Sequence, residues 1–317
     1  MSPFSVAALY FVVLCIAHQS FAQTTYSTKD TAYIHAVEQG LQLLKQGDCQ
    51  RCLAAYRKAF AITQKSALST IRAAACAYQC RQHDVATAYL QKAIDIDYEA
   101  VGDVWNDQQS YPELSLLRTP VIAAHVDSLF VQKDKQLGLN VPLKKQLETL
   151  HKTDQQPRMR LDSVERVYGQ NSPQMRELWK QISHNDSVNL ISIKRIMAQY
   201  GYPGKRVVGP QQANTAWLII QHSPLQEQEM YLPLMQAAAA SGEMAKSSLA
   251  LLIDRINVAK TGKQIYGSQV SIAPSGKRSF FPIEDEQNVN KRRAEMNLNS
   301  IEEYAKQFGF EYKPGTN

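Results

Sequence analysis

The sequence predicts a mainly α fold in two helical parts, the second carrying one β-hairpin, and three observations lead there. A 34-residue period recurs in the N-terminal third, helical segments separated by Gly, Pro and Ser breaks follow residue 140, and strand-like runs around a turn signal occur once, near residues 263–283. The resulting division is a signal peptide over residues 1–22, a helical repeat region over 28–135 and a helical domain over 140–317. With 317 residues, 44% hydrophobic and 20% charged, the chain is globular material long enough for two domains, which excludes disorder over most of it. The net charge of +6 comes from Lys and Arg scattered among Asp and Glu, so no basic nucleic-acid arm is present and no nucleic-acid partner is expected.

The first element, "MSPFSVAALYFVVLCIAHQSFAQ", has an apolar core from Val6 to Ala17 and then Ser20 and Ala22 at the spacing a signal peptidase reads. That run is shorter than a typical membrane-spanning helix, so the expectation is export, periplasmic or secreted, with Gln23 at the mature N-terminus. Two alternatives stand beside it: an uncleaved anchor, since no Lys or Arg follows Met1, and a lipid on Cys15, which Leu14 disfavours. No later segment is long and apolar enough to span, so no stable membrane span is expected after signal removal.

In the repeat region, "CLAAYRKAFAI" (52–62) shifted by 34 residues falls on "ATAYLQKAIDI" (86–96), matching Ala54 to Ala88, Lys58 to Lys92, Ala59 to Ala93 and Ile62 to Ile96. Small residues at Gly40, Ala74, Ala59 and Ala93 suit helices in close approach, and Trp105, Leu114, Leu116 and Leu117 offer a cap. Over about residues 30–100 the pattern resembles tetratricopeptide repeats, departing from them at Leu43, Ala77 and the closing Pro. The resemblance implies helix pairs that bury their faces by stacking, and a peptide or protein partner. Cys49 and Cys52 open one repeat helix and Cys76 and Cys80 lie on the next first helix. Antiparallel neighbours bring those ends together, so Cys49–Cys80 and Cys52–Cys76 disulfides are expected in an exported chain, with a four-thiolate zinc site and buried free thiols as the alternatives.

Beyond residue 140, "VPLKKQLETLHKTDQQPRMRLDSVERVYG" reads as one long helical segment. "SPQMRELWKQISHNDSVNLISIKRIMAQYG" reads as two, the second opened by Asp186 as N-cap and closed by Gly201. "NTAWLIIQH", "LQEQEMYLPLMQAAAASG" and "KSSLALLIDRINVA" read as three further helices. "KQIYGSQVSIA" and "KRSFFPI" flank "PSG" as a hairpin, and "NVNKRRAEMNL" and "SIEEYAKQFGF" close the chain as helices.

Several stretches in this part occur in a familiar order: "DQQPR", "YGYPGKRVVGPQQANTAWLIIQH", "LPLM", "IDRINVAKTGKQIYGSQ", "FPIEDEQNVNKRRAEMNL" and "EEY". Together they resemble domain of unknown function 6624 over about residues 145–313, with Ser268 where that family usually has Thr and Tyr202 where it has Trp. The resemblance brings no activity. Its recurring polar residues correspond here to Asp154, Arg158, Gln221, His222, Asp254, Arg255, Gln264, Tyr266, Gln269, Arg292 and Arg293.

The residues themselves support two roles. Asp254 and Arg255 sit in an apolar helical run with no clear solvent face, so each needs a partner: Arg292 or Arg293 for Asp254, Asp154 or Glu284 for Arg255. His222 ends a helix, where a cationic ring suits the terminal carbonyls, or it works as general acid or base oriented by Asp254. Gln221, Gln264 and Gln269 are neutral donors and acceptors for a ligand. No His-x-x-x-His metal spacing, nucleophile elbow or phosphate loop is present, so neither a metal nor a cofactor is expected. Two functions follow: an exported binding protein with a repeat scaffold and a polar pocket, or a hydrolase or transferase using His222 and Asp254 with arginines on a small anionic substrate. The sequence does not decide between enzyme and binding protein.

Overall fold

A computed structural model describes residues 28–273 and 276–315. The expected signal peptide, with Cys15 and the cleavage point before Gln23, lies outside the described residues, as do Pro274 and Ser275 of the expected turn signal. Among the described residues the fold is mainly α with one two-stranded antiparallel hairpin, and no helix is long and apolar enough to cross a membrane.

Helices α1 (Thr31–Gln46), α2 (Cys49–Ile62), α3 (Ala67–Gln79) and α4 (His83–Ile96) form two helical hairpins, and α2 and α4 begin 34 residues apart. Three of the four starts are written in the sequence: Asp30 accepts from the Tyr33 N–H, Asp48 from Arg51 and Ser66 from Ser69, satisfying donors that the first turn leaves free, whereas Gln82 makes no side-chain cap before α4. The tight corner of the first hairpin is turned by Gly47 at φ +82°, and 34 residues on the same left-handed corner is turned by Arg81 at φ +62°. A side chain there costs about 1–2 kcal/mol, which the packing on either side outweighs. Ala59 and Ala93 are fully buried and Lys58 and Lys92 are exposed, so these matched positions share their environments, whereas Ile62 is exposed and Ile96 packs half-buried against the core. Gly40 lies against the Tyr56 ring, where a Cβ would come within 2.8 Å of Cε2. The sulfurs of Cys49 and Cys80, and of Cys52 and Cys76, are paired where the start of α2 meets the end of α3, with Cα separations of 5.3 and 5.9 Å.

The core of these helices is closed by α5 (Tyr98–Asn106), by a 3₁₀ turn over Pro112–Leu117 that buries Leu114 and Leu117, and by α6 (Pro120–Gln136). Trp105 and Leu116 pack partly buried against it. Next come α7 (Val141–Arg158), α8 (Leu161–Tyr168), α9 (Pro173–Tyr200), α10 (Lys205–Val208), α11 (Thr215–Gln221), α12 (Leu225–Ala240) and α13 (Lys246–Thr261). The compact units are Tyr26–Leu249 and Ala250–Asn317, so the chain divides inside α13. Within the first unit, a buried network knits the N-terminal helices to α7: Tyr98 donates to Asp134, and the Lys144 Nζ lies 2.7 Å from the Tyr98 hydroxyl and 2.7 Å from Asp134 Oδ2.

Two expected boundaries are corrected. The segment after Val141 is two helices, α7 and α8, because the chain breaks at Met159–Arg160. The segment expected as two helices is the single 28-residue α9, and Asp186 lies mid-helix instead of capping one. The apolar stripe of α9 runs through that point, from Met175, Leu178 and Ile182 to Asn189, Ile193 and Ile196, so burial on one continuous face overrides the local capping signal.

In the second unit, β1 (Val270–Ile272) pairs antiparallel with β2 (Arg278–Phe280), Ser271 opposite Ser279. Helices α14 (Val289–Glu295) and α15 (Ile301–Gln307) follow, and Ile283, Val289 and Ile301 form a small core with Phe280 and Tyr312 against it.

Candidate functional site

Helix α7 buries a stripe of Leu143, Leu147, Leu150, Asp154 and Pro157, which sets a carboxylate in an apolar row. Pro157 has no N–H to give the Thr153 carbonyl four residues back, and the Asn185 side chain of α9 donates to that carbonyl instead, at 3.0 Å. Asn189, one turn further along α9, lies 3.5 Å from the Leu150 carbonyl. Helix α11, buried through Ala216, Leu218, Ile219 and Ile220, ends at Gln221 and delivers His222 as its C-terminal cap.

These three helices bring four charged or titratable side chains together. His222 Nδ1 lies 3.0 Å from Oδ1 of Asp154, whose side chain is fully buried. Gln155 Nε2 donates to the other oxygen of Asp154 at 2.6 Å. Arg158, one turn along α7, donates to the Asp154 carbonyl at 2.8 Å and places Nη1 3.3 Å from its Oδ1. The other end of the guanidinium makes a forked pair with Asp186, at 2.7 and 2.9 Å. Burial pushes the Asp154 carboxyl up, but the His222 hydrogen bond and charge and the Arg158 charge outweigh it and hold the group below its usual range. At Asp186 burial wins over Arg158 and the carboxyl is raised. Ligand atoms of Asp154, Asp186 and His222 lie within 4.8 Å of one another, a set that suits a divalent cation, but the cation the structure places on both carboxylates is Arg158.

Asp254 belongs to a different construction. Fully buried on α13, it accepts from the main-chain N–H groups of Ile265 at 2.7 Å, Tyr266 at 3.0 Å and Ser268 at 2.9 Å. From the other side Arg292 donates to the Ile265 carbonyl at 3.0 Å, and the fully buried Arg293 donates to the Tyr266 carbonyl at 2.7 Å and lies over the Tyr304 ring. Gln264 Nε2 donates to the carbonyls of Gln269 and Phe281, and its Oε1 accepts from the Gln269 N–H. Gln269 Nε2 reaches Ser268 Oγ at 3.0 Å. The 264–269 loop thus has its main-chain groups answered by side chains, as buried irregular backbone requires. Burial pushes the Asp254 carboxyl up against the pull of those three N–H groups, and brings Arg293 down to about 10.

Several expectations are therefore corrected. The carboxylate that orients His222 is Asp154, while the Asp254 oxygens are taken by main-chain donors. Arg293 meets Asp254 through charge alone, and the hydrogen bonds of Arg292 and Arg293 go to carbonyls of the loop that Asp254 holds by its N–H groups. Gln264, Gln269, Arg292 and Arg293, read as ligand contacts, hold the loop together. Arg255 and Tyr266 are half-buried, Tyr266 with its phenol raised by burial, and Gln221 is buried with its Nε2 unpartnered. Asp186, Asn185 and Gln155 were not anticipated. They are half-buried beside the buried stripes of α7 and α9, and the signal that points to them is polar residues next to those stripes.

Against known families, residues 142–313 match the family described as "Family of unknown function (DUF6624)". No curated protein matches the chain, and no solved structure does.

Proposed function

The chain belongs to the DUF6624 family, and we propose that its family region carries an acid–base site in which His222 moves a proton at Nε2 while Asp154 holds the ring. The observation that carries this reading is the 3.0 Å contact from Nδ1 to a fully buried carboxylate. A carboxylate accepting from Nδ1–H fixes the tautomer whose Nε2 bears the lone pair, the arrangement of a general base oriented by a third group. Arg158 keeps Asp154 ionised and fixes Asp186 beside it. The reaction class is hydrolysis or group transfer. Arg158 is engaged by two carboxylates and Arg292 and Arg293 by carbonyls, so an anionic substrate would have to compete for them. A panel of chromogenic esters, amides, glycosides and phosphoesters tests the reading. Turnover lost in both His222→Ala and Asp154→Asn, with circular dichroism unchanged, supports it; turnover that survives in both sinks it.

We also propose that the protein is exported and oxidised. The support is the N-terminal apolar run and the two cysteine pairs between α2 and α3. Intact mass should begin at Gln23, and non-reducing peptide mapping should link Cys49 to Cys80 and Cys52 to Cys76; full alkylation of unreduced protein contradicts the second part. A peptide partner for the tetratricopeptide-like helix pairs is the second reading, favoured by an open concavity lined by Ala32, His35, Ala36, Gln39, Gln42 and Lys58. Peptides selected on the full chain should lose binding in Lys58→Glu.

A further inference from the structure

We infer that α5, outside the residues matched by the family, is a positioning element for His222, acting through the loop that leads into α11. The inference rests on the acid–base reading only for its consequence; the contacts stand on their own.

The segment of α10 and the loop after it is held at four places, three of them on α5. Lys205 Nζ lies 3.2 Å from Glu99 of α5. The Val207 carbonyl accepts from the Asn140 N–H at 2.8 Å, just ahead of α7. The Gln211 side chain lies over Gly102 of α5, where any Cβ would meet its terminal amide, with Cδ at 2.7 Å. Gly209, at φ +78° and ψ 163°, presents its α-carbon so that a Cβ would lie 3.1 Å from Leu139 and 3.5 Å from the Tyr98 hydroxyl. That hydroxyl is itself fixed by Asp134 and Lys144. From Gly209 the path to the site is short. Its carbonyl accepts from the Ala213 N–H at 3.2 Å, the Ala213 carbonyl accepts from the Tyr202 hydroxyl at 2.7 Å, and α11 begins two residues later and ends at His222. Because α11 is buried on all sides, a displacement of its first turn carries to its last. The N-terminal helices therefore shape the site as well as any surface of their own.

Two glycines provide the test. Gly169, between α8 and α9, has φ +86° and ψ 156°, nearly the backbone of Gly209, but a Cβ there meets nothing within 4 Å. Gly209→Ala and Gly169→Ala carry similar backbone strain, and only the first disturbs the seat on Tyr98 and Leu139. The measurement is the His222 ring resonances in the full chain at one fixed pH, assigned by their disappearance in His222→Gln. Gly209→Ala should displace the His222 signals while Gly169→Ala leaves them as in the parent. His222 signals that move in both variants, or in neither, overturn the inference. If Gly209→Ala does not fold, Tyr98→Phe decides: it removes only the hydroxyl, leaves Lys144 on Asp134, and must still shift the His222 signals. A parent-like His222 spectrum in folded Tyr98→Phe overturns it. This readout does not depend on turnover, so it fails or succeeds apart from the catalytic reading.

Discussion

Two aspartates with the same burial are held in opposite ways. Asp154 and Asp254 are both fully buried, Asp154 against titratable or charged side chains and Asp254 against three main-chain N–H groups. A carboxylate held by backbone cannot exchange its partners without unfolding the loop, so Asp254 works as a lock. One held by a histidine and an arginine sits in a network whose protons and charges can rearrange with the fold intact. Burial alone does not mark a functional carboxylate; the chemistry of its partners does.

The largest effect expected from this difference is at the lock. Asp254→Ala leaves three buried N–H donors unanswered, and at about 1–3 kcal/mol for each unsatisfied group the loss is roughly 3–5 kcal/mol or more, enough to unfold a marginal domain. Urea denaturation followed by circular dichroism measures it. A loss under about 1 kcal/mol would mean that the loop finds other acceptors, and the contrast with Asp154 would disappear.

Next comes the removal of the cation between the two carboxylates. Arg158→Met takes the guanidinium from between Asp154 and Asp186 and leaves Asp154 to His222 and Gln155, a change that costs about 3 kcal/mol when one partner of a buried pair is lost. Divalent cations should recover part of that stability, since two carboxylates then lack their guanidinium and lie with His222 in a set of ligand atoms within 4.8 Å. Thermal melting with and without manganese reads both effects. A variant as stable as the parent would show that the guanidinium contributes little there.

A smaller change in stability and a larger one in function are expected from Asp154→Asn, which keeps shape and one hydrogen bond to His222. A cost of about 1 kcal/mol is typical when a single hydrogen bond weakens. Turnover on any substrate found should fall by about two orders of magnitude or more as the ring loses its tautomeric control. Asp254→Asn, by contrast, turns an amide N–H₂ toward main-chain donors and should show its damage in melting. Equal behaviour of the two Asn variants in both assays removes the distinction.

How much of this was legible in the sequence follows the range of the interactions. The 34-residue period, the caps at Asp30, Asp48 and Ser66 and the order of helices are local, and they can be read directly. Asp154, Arg158, His222 and Asp254 also stand out, through motif resemblance and, for Asp254, through a charge in an apolar run, whereas Gln155, Asn185 and Asp186 do not. Which carboxylate meets His222 was not legible, because Asp154 is 68 residues away and the contact depends on how α11 packs on α7 and α9. The roles of Arg292 and Arg293 were hidden for another reason. A guanidinium in an apolar region suggests a carboxylate partner, yet irregular buried backbone has carbonyls to satisfy, and nothing in the pattern shows where such a loop will be. At Asp186 a local rule misleads: an Asp before an apolar run looks like a cap, and only the continuous stripe of α9 argues otherwise.

The smallest effect separates the two aspartates by pH. Asp154 is held below its ordinary value of 3.8, so its ionisation favours the folded state. That contribution is fully present above 3.8 and is lost as pH falls through the lowered folded value. Asp254 is raised above 3.8, so the folded state keeps its proton more tightly; its contribution is present below 3.8 and lost as pH rises through the raised folded value. Measured as differences between the parent and each Asn variant, which cancel every other titrating group, the two curves should slope in opposite directions. The parent's advantage over Asp154→Asn shrinks as the solution is acidified below about pH 4, whereas its advantage over Asp254→Asn grows as the pH falls toward that point. Denaturant midpoints from pH 7 to pH 3 give both curves. If they run parallel, the two carboxylates feel the same environment, and the division between a main-chain lock and a side-chain site fails on its electrostatics.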